Sequence, residues 1–226
     1  MIKNRQSSNR KLKSPLVHTL LFIVERKTII QLMAAILITF TSSLTFADIK
    51  VAQISFQKKH YDITLKEIRK ELGTKPEAQF LMAKMYEKGL GVVQNSHLAI
   101  KWYARAASSG HLESSYALGS LFESGATLPK NYRESRQWYQ RSANQGHTDS
   151  QVKLGAMLNE GRGGKKNKTE GLAWLSLAQE SGSKSAKALL DAHTLKASEK
   201  ASIKERKQQL LTTIKNKITS NKGKAQ

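Results

Sequence analysis

Residues 76–111 read PEAQFLMAKMYEKGLGVVQNSHLAIKWYARAASSGH, and the chain repeats this pattern twice more at a step of 36 residues. Tryptophan and glycine recur in that register without a gap, at Trp102, Trp138 and Trp174, at Gly89, Gly125 and Gly161, and at Gly110, Gly146 and Gly182. Asparagine follows the same step, at Asn95, Asn131 and Asn167. These columns predict three tandem units of one structure, over residues 76–111, 112–147 and 148–183.

Each unit is predicted to fold as a pair of helices. In the first unit, apolar and small residues recur at helical spacing up to Gly89, which ends the helix. Asn95 is a good N-cap for a second helix, which Gly110 stops. A column of small residues lets the paired helices approach closely, at Ala83, Gly119 and Gly155.

These residues resemble the Sel-one-like repeat family, whose units are tetratricopeptide-related helix hairpins. The resemblance covers residues 76–183, although Thr127, Leu158 and Leu175 depart from the usual glycine and aromatics. It implies an all-α, right-handed α/α solenoid of three full 36-residue repeats. We expect degenerate capping helix pairs at residues 48–75 and 184–219, and a flexible basic tail at 220–226.

The tryptophans are expected to fill the space between neighbouring units. Truncating a packed tryptophan typically costs about 3–5 kcal/mol. Because Trp138 lies in the middle unit and Trp174 nearer an end, we expect Trp138→Ala to destabilise the protein more than Trp174→Ala.

Residues 1–47 have the layout of a secretory signal peptide. Basic residues precede an apolar run over residues 29–46, and small residues Thr45 and Ala47 stand at positions −3 and −1 of a cleavage site. An uncleaved membrane anchor and a translation start nearer Val24 stay open. The layout predicts export to the periplasm, with secretion or inner-membrane anchoring as alternatives.

Composition excludes several kinds of chemistry. The chain has no cysteine, so disulfides, zinc–thiolate sites, iron–sulfur clusters and thiol catalysis are excluded. His111 and His147 stand one repeat apart, so repeat geometry explains them. The basic segment 161–166, GRGGKK, superficially suggests phosphate binding, but it lacks the GKS or GKT ending and follows a helix. We interpret it as a flexible basic turn, and we expect no metal, no cofactor and no enzymatic activity.

In tetratricopeptide-like pairs the first helices line the concave face, so the resemblance implies a protein-binding groove there. Phe80, Tyr116 and Val152 are anchors for an apolar side chain of the partner, or partly buried packing positions. The carboxylates set the orientation of the bound segment. The candidate groove residues are Glu77, Phe80, Lys84, Glu87, Glu113, Tyr116, Ser120, Glu123, Asp149, Val152 and Asn159.

Net charge supports a second hypothesis. The chain carries +21, of which +8 lies in residues 184–226 and only +4 in residues 76–183. The first hypothesis is a non-enzymatic adaptor or scaffold of the cell envelope that binds a protein or peptide. The alternative is an electrostatic binder of an anionic envelope polymer, lipid or nucleic acid through the lysine-rich C-terminal segment. Export makes nucleic acid the less favoured ligand, and the sequence leaves the partner's identity and the oligomeric state open.

Overall fold

The computed structural model describes residues 49–126 and 128–223, with side chains to residue 220. The predicted signal or anchor at residues 1–47 lies outside the described residues. All regular structure within the described part of the chain is α-helical. No helix there is both long and apolar enough to span a bilayer.

The helices follow one another with short connections. Their bounds are α1 49–57, α2 Tyr61–Glu71, α3 Pro76–Lys88, α4 Ser96–Ser108, α5 Leu112–Ser124, α6 Tyr132–Ala143, α7 Thr148–Glu160, α8 Lys168–Glu180, α9 Lys184–Asp191 and α10 Ala197–Gly223. Helices α3–α4, α5–α6 and α7–α8 form closely packed pairs, and each pair packs against the next through α4–α5 and α6–α7. The architecture is therefore an α/α solenoid, as predicted.

The recurring asparagines and glycines stand at helix ends. The side chains of Asn95, Asn131 and Asn167 accept backbone N–H groups in the first turns of α4, α6 and α8. The glycines after α3, α5 and α7 adopt the left-handed backbone conformation, with φ of 67°, 66° and 81° at Gly89, Gly125 and Gly161. A side chain at these positions would be strained, which explains why this column is glycine.

Histidine is the N-cap of the first helix in the second and third repeats, α5 and α7. Nδ1 of His111 accepts the backbone N–H of Ser114 at 3.2 Å, and Nδ1 of His147 accepts that of Ser150 at 3.2 Å. An accepting Nδ1 carries no proton, so each cap requires a neutral imidazole. Repeat geometry thus explains both histidines, and their role is to begin α5 and α7.

Helices α7 and α8 approach each other through two facing glycines. A Cβ atom on Gly155 would lie 2.8 Å from the carbonyl oxygen of Gly171, and a Cβ on Gly171 would lie 2.6 Å from that of Gly155. In the preceding pair, a Cβ on Gly119 would meet the ring of Tyr139 at 2.6 Å. The expectation that small residues allow close helix packing is confirmed at these positions.

The burial of the tryptophans differs from the prediction. Trp102 and Trp138 are only half-buried, whereas Trp174 is 0% exposed. The fully enclosed aromatic residues of the first two pairs are instead Tyr103 and Tyr139. The structure therefore contradicts the ranking of Trp138 above Trp174, because the burial of an indole depends on which helices cover it and not on its position along the chain.

Helix α10 is the reason for the burial of Trp174. It packs along α8, and its Ile203, Leu210 and Ile214 share one apolar cluster with the indole. Ion pairs join the same two helices, between Arg206 and Glu170, Lys207 and Glu180, and Lys168 and Glu199. A terminal helix thus covers a surface that would otherwise be open to solvent.

The C-terminal cap also differs in form from the predicted helix pair. Helix α9 has 8 residues, and α10, with 27 residues, packs against α8 instead of forming an extensive hairpin with α9. Helix α10 continues to Gly223, into the segment predicted as a flexible tail from residue 220. No proline or glycine interrupts residues 197–222, so nothing in the sequence stops the helix earlier.

We predict that Trp174→Ala lowers the free energy of unfolding by about 3–5 kcal/mol and Trp138→Ala by clearly less, because only Trp174 leaves a fully enclosed cavity. Urea unfolding followed by circular dichroism measures both losses. An equal or larger loss for Trp138→Ala would contradict the packing described here.

We predict that protonation of His111 destabilises the protein. Burial lowers the pKa of His111 below its ordinary value, although the carboxylates of Glu113 and Glu77 act in the opposite direction. The folded state therefore binds fewer protons than the unfolded state, and the free energy of unfolding falls as pH drops below about 6.5. The loss is up to about 1 kcal/mol, the usual contribution of an N-cap.

His111→Asn tests this pH dependence, because asparagine caps a helix well and does not titrate. Urea unfolding between pH 5 and pH 8 should show a shallower pH dependence for this variant than for the wild type. His97→Asn, at an exposed position of α4, is the matched control and should leave the dependence unchanged. Identical profiles for all three proteins would refute the role of His111.

Candidate protein-binding groove

Two adjoining cavities lie along α3 and α5 and share Phe80, Lys84 and Glu113. The larger cavity has a volume of about 660 Å³ and is also lined by Phe56, Tyr61, Glu77 and His111. The smaller has a volume of about 340 Å³ and is also lined by Glu87, Tyr103, Tyr116 and Ser120. We call these two cavities together the α3–α5 groove.

Aromatic rings in the groove are held by contacts that repeat from unit to unit. The ring of Phe80 lies 5.7 Å from that of Tyr103 and 4.7 Å from the imidazole of His111. Tyr116 makes the same two contacts one repeat later, at 5.7 Å to Tyr139 and 5.0 Å to His147. Phe80 and Tyr116 are both half-buried. Each therefore packs in the solenoid and still presents part of its ring to the groove.

Lys84 is held between two aromatic rings. Its Nζ lies 5.1 Å from the ring centre of Phe56 and 5.3 Å from that of Phe80, within the range of a cation–π interaction. Within the described part of the chain, no carboxylate forms an ion pair with this ammonium group. Phe56 and Tyr61 come from the N-terminal cap and were not among the predicted groove residues.

Glu123 lies at the boundary between the second and third helix pairs. Its carboxylate accepts the hydroxyl of Tyr139 at 2.9 Å, Nζ of Lys153 at 3.0 Å and a guanidinium nitrogen of Arg162 at 2.7 Å. Burial alone would raise the pKa of Glu123, but these three hydrogen bonds outweigh burial and hold the pKa below its ordinary value. Glu123 is thus a structural anion, and its charge is satisfied within the protein.

Glu87 occupies the same repeat position one unit earlier and has a different environment. It accepts the hydroxyl of Tyr103 at 2.6 Å, and no described cation pairs with it. Residues 36 positions before Lys153 and Arg162 are Ala117 and Ala126. These short side chains leave the first boundary open, whereas two long cationic side chains fill the second.

The predicted groove residues of the third unit are therefore placed apart from the others. Val152 is half-buried and packs against the apolar cluster around Trp174. Asp149 is exposed, and Asn159 is half-buried with its Oδ1 beside Gly171. Among the described residues that line the two cavities, none comes from α7.

The described residues place several groups that can bind a ligand along the groove. They contain no group of three or more His, Asp or Glu side chains that could hold a metal ion. Burial, with the hydrogen bond to Glu87, raises the pKa of Tyr103 far above its usual range, so its hydroxyl stays a neutral donor. The aromatic rings, the carboxylates and the ammonium group of Lys84 that line the groove can therefore contact a ligand, and groups of these kinds are common in binding surfaces.

Comparison with known proteins agrees with this geometry. The family model described as Sel1 repeat matches residues 76–111, 112–147 and 148–183. No curated protein matches the chain at a significant level.

Two solved structures are similar to the chain. A Sel1 repeat protein from Oxalobacter formigenes is 33% identical, with a TM-score of 0.59, over 62% of this chain and 58% of that protein. A protective antigen present in uropathogenic Escherichia coli strains, which displays an SLR fold, is 24% identical, with a TM-score of 0.57, over 66% of this chain and 34% of the antigen. The second similarity concerns the fold alone. Residues 76–183 thus consist of three Sel1 repeats, arranged as a solenoid of helix pairs.

Proposed function

We propose that the α3–α5 groove binds an extended segment of a partner protein, so that the molecule acts as a non-enzymatic adaptor. Sel1 repeat solenoids are typically protein-interaction modules. The observation that carries the proposal is the open boundary between the first two helix pairs, where Ala117 leaves a cavity next to exposed parts of Phe80 and Tyr116. The footprint of the partner is limited by Lys153 and Arg162, which fill the next boundary.

The groove favours a partner segment with an apolar anchor and a basic side chain. Aromatic side chains bury large areas at low entropic cost, so Phe56, Phe80 and Tyr116 suit an apolar or aromatic anchor. Glu77 and Glu113 both lie close enough to His111 to act on its titration, and they can pair with a lysine or arginine of the partner. The first helices α3, α5 and α7 together carry six acidic and three basic residues in a chain of net charge +21.

Selection of peptides tests this specificity. Random peptides displayed on phage and selected on the immobilised full-length protein should be enriched in sequences that combine an aromatic residue with lysine or arginine. Ser120→Arg places a long side chain in the smaller cavity and should abolish binding of the selected peptides. Thr169→Arg, at an exposed position of α8, is the matched control and should bind normally.

The carboxylates are tested separately. Glu77→Gln with Glu113→Gln should weaken the selected peptides about threefold to tenfold, as expected for partly exposed ion pairs. Asp191→Asn with Glu205→Gln removes two exposed carboxylates outside the groove and should have no effect. Binding that falls steeply with salt and is lost in Lys200→Gln with Lys204→Gln would instead favour the alternative, an anionic ligand on the C-terminal helix.

We also propose that the protein acts in the cell envelope. Support comes from the signal-peptide layout of residues 1–47. Expression of the full chain with a C-terminal tag, followed by cell fractionation and N-terminal sequencing, should give a periplasmic product that begins at Asp48. A full-length product in the cytoplasm would refute the envelope role without affecting the groove.

A further inference from the structure

A third cavity lies away from the groove, between α6 and the loop that joins α7 to α8. It has a volume of about 280 Å³ and is lined by Arg133, Arg136, Gln137, Gln140 and Gly163. Its lining therefore brings two guanidinium groups and two amides together, without a carboxylate. Glu134, the acidic residue in the first turn of α6, is not part of the lining.

The loop at residues 161–166 is fixed against α6 and is not the free turn that its composition suggests. A Cβ on Gly163 would lie 2.1 Å from the carbonyl oxygen of Tyr132, so only glycine allows this approach. Nη1 of Arg136 donates a hydrogen bond to the carbonyl of Lys165 at 3.2 Å. The guanidinium carbon of Arg162 lies 5.8 Å from the ring centre of Tyr132. These contacts hold the loop backbone at Gly163 and Lys165 against α6.

The cations around the cavity are not neutralised within the protein. In the described residues, neither Arg133 nor Arg136 forms an ion pair. Arg162, in the same loop, is paired with both Glu123 and Glu160. Two guanidinium groups that line one cavity without a paired carboxylate repel each other, and an anion would relieve that repulsion.

The repeat itself does not require this arrangement. The residues 36 positions before the four lining side chains of α6 are His97, Ile100, Lys101 and Ala104. In α4 two of these four positions are apolar, Ile100 and Ala104, so packing in the solenoid does not require arginine or glutamine there. The pairing of arginines with glutamines is peculiar to α6, which separates it from the structural columns.

We propose that this cavity binds a phosphate-class oxyanion. Guanidinium groups bind phosphate oxygens through two parallel charge-assisted hydrogen bonds, which a dianion can accept from both arginines. The amide groups of Gln137 and Gln140 supply neutral N–H donors for the remaining oxygens. The site lies on α6 and the α7–α8 loop and shares no lining residue with the α3–α5 groove.

Calorimetric titration of the full-length protein with inorganic phosphate, at constant ionic strength, tests the site. We expect saturable binding that Arg133→Gln with Arg136→Gln weakens at least about tenfold, because two charge-assisted hydrogen-bonding groups are lost. Lys200→Gln with Lys204→Gln removes the same charge from exposed positions of α10 and should change the affinity less than about twofold. No saturable binding to the wild type, or equal weakening in both variants, would overturn the proposal.

Two further binding measurements distinguish a lipid headgroup from a soluble phosphate as the ligand. Phosphatidic acid vesicles, compared with phosphatidylcholine vesicles, present the group as a lipid headgroup. Vesicle binding that is lost in the double arginine variant assigns the site to a membrane lipid, whereas binding of inorganic phosphate alone assigns it to a soluble phosphate. Vesicle binding that survives in that variant, with no binding of free phosphate, would refute the site. Circular dichroism of each variant verifies that the helices are intact.

Discussion

Packing between successive helix pairs is the interaction on which the whole molecule depends. One helix pair cannot enclose its own apolar face, so each pair completes its core only against its neighbours. The pairs here meet through α4–α5 and α6–α7, and the last one is closed by α10. The end cap is therefore as necessary as a repeat, because α10 covers the face of α8 that α7 leaves open.

The repeat made most of the fold predictable from the sequence. Glycine at residues 89, 125 and 161 and asparagine at residues 95, 131 and 167 have local roles, as caps and left-handed turns, which one unit's sequence already specifies. The caps at both ends follow no such register. Which surface α10 covers is decided by tertiary packing, and the burial of Trp174 could not be inferred from its spacing.

For the groove too, some features follow from the repeat in the sequence and others depend on tertiary packing. The positions of Phe80 and Tyr116 on the first helices follow from register, and the repeated contacts with His111 and His147 agree with it. Whether the space beside them is open depends on side chains that differ between units. Lys153 and Arg162 close one boundary, and Ala117 leaves the other open. Phe56 enters from a cap whose sequence has diverged from the repeat, so no column indicated it.

The covering of α8 by α10 has a consequence for the association of the molecule with itself. Loss of α10, by proteolysis or truncation before Ile203, would uncover the indole of Trp174 together with the leucines that surround it. An exposed, contiguous apolar area of that kind promotes aggregation or exchange of helices between copies. The terminal helix that completes the core therefore also keeps one molecule from adhering to the next.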